Sequence, residues 1–408
     1  MMIYLLIFIF ESFILFLIEK KTWGVIITPL NALSVPYTIV TFIAVLYSHS
    51  VTAVPDFYLP SLVVPCLGLF LFFIPSLFFS KLIRVDRINQ YVTLKRDDSY
   101  ILLKILGAIG IMITLLRIRS IISSGFSFGG DEFSEQYEVS GFLAHLNVLL
   151  SAIFSYMIYK SDNKHKFAYV IIGLSLIGMY AVGVKSWIIA PILIGYIARL
   201  LSNKSTLNMK NLLLPVIICS GVFFLSYYLI MILSAGDKVT DSWVNFVINH
   251  FMDYLIGGSL SFSLDYQQGI LEPEMRLALV RPILNFFIAL FGDGKYIDGI
   301  NPVFLSIGEL GNTNVRTFIG TVWCYSHDPL FFMVFILCFS FFVYYVYYVS
   351  MKSRNIFLLL TNCSVLTFLV LGFFDFYWLT LNAYEIMVFF MVFSYIARFK
   401  VSYAYKCK

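Results

Sequence analysis

The sequence predicts an all-α polytopic integral membrane protein, and three observations carry that prediction. Of the 408 residues, 60% are apolar and 18% aromatic, while only 12% are charged, about half the charged share of soluble domains. Apolar runs of about twenty residues recur along the whole chain, each long enough to cross a hydrocarbon core of roughly 30 Å as a helix. The connectors between those runs alternate between rich and poor in lysine and arginine.

The runs fall at about 2–18, 24–47, 58–79, 100–120, 140–159, 167–182, 186–201, 211–233, 330–350, 356–376 and 381–397, and give about eleven spanning helices. The opening stretch MMIYLLIFIF lacks the basic region and small-residue cleavage site of a secretory signal, so it is expected to be the first membrane helix. Basic connectors hold Lys20/Lys21, the 80–99 segment, Lys160/Lys164/Lys166, Arg199/Lys204/Lys210, Lys352/Arg354 and the tail. They carry 19 positive residues against 8 on the other side, which places the N-terminus outside and the C-terminus inside. Residues 1–408 read as a single membrane domain.

The same alternation puts four segments outside: 48–57, 120–139 with its Asp131-Glu132-Phe133-Ser134-Glu135 cluster, a short turn at Lys185, and the long stretch 234–329. That last stretch is expected to form the active-site face. Within it, 243–264 and 277–291 are apolar but interrupted by polar residues, as interfacial or re-entrant helices are. Pro282 suits the first turn of the second helix and disfavours helical backbone at Arg281, leaving that side chain at a helix entrance.

Chemistry is therefore expected at the outer face. The outer positives are Arg117, Arg119, Lys185, Lys238, Arg276, Arg281, Lys295 and Arg316. Topology selects against cations there, and a guanidinium near hydrocarbon is costly unless paired or wet. One reading is an anion at the membrane boundary, for which arginine's planar fork is suited. The other is that these cations pair with the fifteen outer acids and tie loops together. Candidate bases are Asp328, His327 and Glu309, with Glu135 and Asp131 from the earlier loop, and Asp328 alternatively caps the helix that follows it. His250 and His327 are also readable as structural. Trp243, Tyr254, Tyr266, Tyr296, Trp323 and Tyr325 suit either sugar stacking or an interfacial belt. Glu11, Asp375 and Glu385 are acids in or near apolar runs, suited to the outer site, to a proton path or to helix–helix bonding.

The six cysteines suggest neither disulfides nor metal ligation. The chain has no Asp-x-Asp pair, no His/Cys ligand cluster and no glycine-rich phosphate loop, which argues against nucleotide-sugar or ATP-driven chemistry. No metal or cofactor is expected. The net charge of +5 is small, and no nucleic-acid partner is expected.

Arg281 and Gly292 are separated by ten residues, as are Arg119 and Gly130, and this spacing resembles a motif of Wzy-type O-antigen polymerases. Asn314-Val315-Arg316-Thr317 followed by Asp328 resembles the Asn-x-x-Thr and Asp-Phe-Gly pattern of oligosaccharide repeat-unit polymerases, with Pro329-Leu330 in place of Phe-Gly. Gly183-Val184-Lys185-Ser186 is similar to that family's Gly-x-Arg-x element, with lysine for arginine. The resemblance implies a GT-C-like fold and transfer of a growing glycan from polyprenyl pyrophosphate onto an incoming lipid-linked unit, in O-antigen, capsule or exopolysaccharide synthesis. It implies Arg281, Arg276, Arg316, Lys185, Arg119, Asn314 and Thr317 as pyrophosphate- or glycan-binding residues, and lipid-linked oligosaccharide, membrane lipid and a chain-length regulator as partners. The alternatives are an O-antigen ligase, whose Arg/His pair His250 or His327 would complete, and a flippase of lipid-linked sugar, which would carry charges at mid-membrane and an internal repeat.

Overall fold

The computed structural model describes residues 2–82, 99–126, 131–137, 142–162, 164–181, 186–202, 204–206, 208–235, 241–292, 295–297, 303–326, 328–353 and 355–406. Each of the eleven apolar runs forms a helix. They are α1 (Ile3–Trp23), α2 (Pro29–Ser50), α3 (Val63–Leu82, led in by a 3-10 turn at Leu59–Leu62), α4 (Ser99–Ser123) and, after the short α5 (Asp131–Tyr137), α6 (Phe142–Lys160), α7 (Phe167–Ala181), α8 (Ser186–Leu201) and α9 (Met209–Ala235). Two further helices, α10 (Asp241–Gln268) and α11 (Arg281–Phe291), lead to the short α12 (Phe318–Cys324), and α13 (Pro329–Ser353), α14 (Ile356–Val370) and α15 (Leu381–Lys406) complete the set. Among the described residues six segments are long and apolar enough to cross a membrane: 29–50, 59–82, 100–123, 143–160, 329–353 and 356–373. Four shorter apolar helices lie at 167–180, 187–201, 213–228 and 381–396. The protein is an all-α, multi-pass membrane protein.

Backbone chemistry explains where the elements stop. α1 closes on Gly24, whose left-handed φ of 68° lets its N–H bond Lys20 O at 2.9 Å. Thr28 caps α2 by accepting from Asn31 N. Large apolar side chains such as Leu6, Phe10 and Phe13 lie exposed on α1, an arrangement that suits hydrocarbon and not water.

Contacts divide the chain into two compact units. The first comprises residues 1–90, 242–352 and 368–384; the second comprises 91–241, 353–367 and 385–408.

In the first unit the later part of α10 is enclosed. Residues 256–265 are buried without interruption, because Gly257, Gly258, Ser259, Ser261 and Ser263 let neighbouring chain approach on all sides. A Cβ on Gly258 would sit 2.3 Å from Phe374 O, so only glycine admits the 371–379 turn there. Thr41 of α2 meets Ser259 at 3.5 Å, and Ser261 Oγ donates to Val315 O ahead of α12. Glu19 of α1 is fully buried and accepts from Ser76 of α3 and from Tyr344 of α13, the latter at 2.7 Å. Trp23 Nε1 donates to Ser76 Oγ at 2.7 Å. A carboxylate inside an apolar bundle persists only with such donors; sequence reading singled out Glu11, Asp375 and Glu385 and passed over this one.

In the second unit small residues again set the packing. Gly195 of α8 lies so close to α6 that a Cβ would be 2.5 Å from Ser155 O, and Gly107, Gly110 and Gly178 lie under Ile153, Leu150 and Thr114. Arg199 Nη1 donates to Ser161 O at 2.6 Å and Ile158 O at 3.1 Å, at the C-terminal end of α6. The acidic cluster at 131–135 forms α5, whose buried Phe133 and Tyr137 pack on Ile118 and Ile121 of α4. His145 of α6 pairs with Glu385 of α15.

Candidate functional site

Three polar residues of the 234–329 stretch, Asp265, Glu272 and Arg316, meet in the first unit at the end of α10. That helix stops at Gly269, whose φ of 67° turns the chain, and Ile270 N donates back to Asp265 O at 2.9 Å. The chain then reaches Glu272, whose own N–H donates to Cys324 O at 2.7 Å and so fastens this turn to the end of α12. A 3-10 segment at Pro273–Val280 leads directly into α11. A two-residue antiparallel hairpin, β1 (Leu305–Ser306) with β2 (Asn312–Thr313), returns the chain to Arg316. Thr317 caps α12 by accepting from Gly320 N at 3.0 Å, and its hydroxyl also meets Tyr37 at 2.7 Å.

Arg316 is 4% exposed, and its guanidinium is shared by two carboxylates. Nε pairs with Asp265 Oδ2, and Nη2 pairs with Glu272 Oε1 at 3.0 Å. One guanidinium thus serves two buried carboxyl groups. Burial pushes the Asp265 carboxyl above its usual range; the Arg316 charge pulls it back and Glu272 adds to the rise. Burial works against charge on Arg316, but its anionic neighbours outweigh it and hold the guanidinium protonated.

Asp375, two residues beyond the 356–373 span, shares this field. Burial pushes it up to about 7, opposed by the Phe376 N–H at 2.7 Å and the charge of Arg316. A carboxyl raised in the fold stabilises it when protonated. That contribution is complete below the ordinary value of 3.8 and is lost as pH climbs toward about 7. Thermal unfolding should therefore show stability falling across that window, and Asp375→Asn should flatten the fall. An unchanged pH profile would remove Asp375 as its source. Asp253 of α10 is a second case: burial pushes it up to about 6, and its Oδ1 has no partner among the described residues.

Aromatic rings line the same region. Tyr58, Tyr266, Trp323 and Phe332 follow one another at centroid distances of 6.3, 6.2 and 5.4 Å. Tyr266 and Trp323 adjoin Asp265 and Cys324 in sequence, so this row borders the Arg316 cluster. Its first three residues are half-buried. Phe246, His250, Tyr254 and Phe374 form a second row at 5.6, 5.1 and 5.1 Å.

The sequence-predicted residues separate into distinct settings. Arg316 and Thr317 are buried and fully engaged, so Arg316 takes up the acid-pairing role that sequence left open beside pyrophosphate binding. Asn314 is half-buried in the same approach to α12. Arg276 is exposed on the 3-10 segment and Arg281 half-buried at the start of α11, and neither forms an ion pair among the described residues. Asp328 is exposed and caps α13, accepting from Phe331 N at 2.8 Å. Glu309 is exposed on the hairpin tip, its N–H bonded to Ala53 O at 3.1 Å. Arg119 is exposed on α4 in the second unit. His327 and Lys185 lie outside the described residues.

Two expectations need correction. Arg281 has φ −44° and ψ −50°, helical backbone despite the proline that follows; Pro282 removes only an N–H that the first turn leaves unbonded, and the incoming 3-10 segment fixes its neighbour. Tyr325 is 2% exposed and has no free face for a sugar. Sequence reading missed Asp265 and Glu272 as partners of Arg316. The only signal was their place among the acids of one outer stretch.

A family of unknown function (DUF6337) matches residues 53–403, a span that holds the whole Arg316 cluster and both aromatic rows. No curated protein and no solved structure matches the chain.

Proposed function

The chain belongs to the family of unknown function DUF6337, and from that premise we propose that it polymerises polyprenyl-pyrophosphate-linked oligosaccharide repeat units at the outer face of a bacterial inner membrane. All eleven apolar helices then cross the membrane, with the N-terminus outside and the C-terminus in the cytoplasm. The observation that carries the reading is the half-exposed row Tyr58–Tyr266–Trp323 beside the buried Arg316–Asp265–Glu272 cluster. Aromatic faces stack on the apolar faces of sugar rings, and the buried ion-pair cluster fixes the end of α10 and the approach to α12, the helices that carry Tyr266 and Trp323.

In this reaction a hydroxyl of the incoming unit attacks the anomeric carbon of the growing glycan. The bond from that carbon to pyrophosphate breaks, and the lipid pyrophosphate leaves with the electron pair. Arg281, which makes no ion pair among the described residues, would stabilise that developing charge. The hydroxyl proton would pass to a carboxylate or imidazole, for which Asp328, Glu309 and His327 remain candidates and Asp375 joins them. Arg316 has the different task of holding Asp265 and Glu272 in place.

Deleting this protein in its host and separating surface glycan by size tests the proposal. Collapse of the ladder to a single repeat unit is the expected result. An intact ladder would overturn it. Loss of all surface glycan with lipid-linked units retained inside would assign a flippase instead, and free polymer left on its carrier a ligase.

A further inference from the structure

α11 is amphipathic in the reverse sense to a helix of a water-soluble protein. Its exposed residues include Ile283, Phe286, Phe287 and Leu290, spaced i, i+3, i+4 and i+7, and Phe291 at its end is 81% exposed. The opposite face is the one tied to the protein. Pro282 is buried, and Asn285 is held by both ends of its amide, donating to Ile297 O at 3.0 Å and accepting from Ile297 N at 2.8 Å. The apolar stripe therefore points outward.

Cations flank that stripe. Arg276 is exposed one turn before the helix, and Lys295 is exposed just after it, brought alongside by the Asn285–Ile297 bonds. Eleven residues span about 16 Å, too short to cross a hydrocarbon core. An apolar face of this width edged by lysine and arginine has the chemistry of a helix lying in a membrane interface.

We propose that α11 is an interfacial helix, its Ile283–Phe286–Phe287–Leu290–Phe291 face set into the lipid at the headgroup boundary, with Arg276 and Lys295 on the phosphates of anionic lipid. The proposal stands independently of the polymerase reading. A lipid partner fits better than a protein one because the spanning helices already fix this chain in a bilayer and the flanking charges match anionic headgroups.

The full-length protein carrying the photo-reactive residue p-benzoylphenylalanine at Phe287 would be reconstituted in nanodiscs of phosphatidylcholine and phosphatidylglycerol. Ile109, 47% exposed on α4, serves as a lipid-facing control, and Ile307, fully buried, as a protein-facing one. Irradiation is expected to add one lipid mass at Phe287, as at Ile109. The phosphatidylglycerol share of those adducts should exceed its share of the bilayer by about fivefold and fall back toward it in Arg276→Ala/Lys295→Ala. Adducts only to protein, or none at Phe287 while Ile109 is labelled, would overturn the interfacial placement. Adducts in proportion to bilayer composition would overturn the headgroup contact.

Discussion

Replacing Arg316 with methionine is expected to lower stability by about 3–5 kcal/mol, because it strands two buried carboxylates without a counter-charge. Asp265 and Glu272 are 2% and 7% exposed, so solvent cannot take over the role of the guanidinium. Lysine should recover only part of the loss, since a single ammonium cannot reproduce the fork that meets Asp265 through Nε and Glu272 through Nη2. The triple variant Arg316→Met/Asp265→Asn/Glu272→Gln should regain most of it, because removing the whole charge set also removes the stranded anions. Thermal unfolding in detergent gives the comparison. If Arg316→Met unfolded with the parent, the cluster would not hold the end of α10 to α12.

Arg281→Ala is expected to cut polymer by about a hundredfold or more while the protein stays abundant and inserted, the scale of loss when a charge-stabilising donor is removed from a transition state. The side chain stands at the entrance of α11 and makes no ion pair among the described residues, so its removal leaves no buried partner stranded. Size-resolved surface glycan together with protein abundance reads both halves. Long-chain glycan at the parental level would exclude Arg281 from the reaction. This variant and Arg316→Met separate the two tasks, because the first should cost product without stability and the second should cost stability first.

Much of the architecture was legible in the residues alone. Run length is a local property, so each apolar stretch of about twenty residues identified a helix, and all eleven such stretches are helical. Pro282 marked the start of α11 because a proline in the first turn gives up no bond. The Asp328 cap was equally local, an acid one residue ahead of a helix.

The site was legible only as a set of parts. Asp265 and Glu272 lie 51 and 44 residues from Arg316, and nothing in a single sequence says which of fifteen acids a given arginine will meet. Nor did the enclosed part of α10 announce itself. Its glycines, serines and aspartates lower its hydropathy, and the same small side chains let other segments close around it. Pairing and burial are long-range properties, set by which surfaces come together. The sequence by itself determined that this is a helical membrane protein with its polar chemistry gathered in one late stretch, and the tertiary structure alone decided that Arg316, Asp265 and Glu272 are spent on holding that stretch together, because such a pairing depends on which distant segments meet.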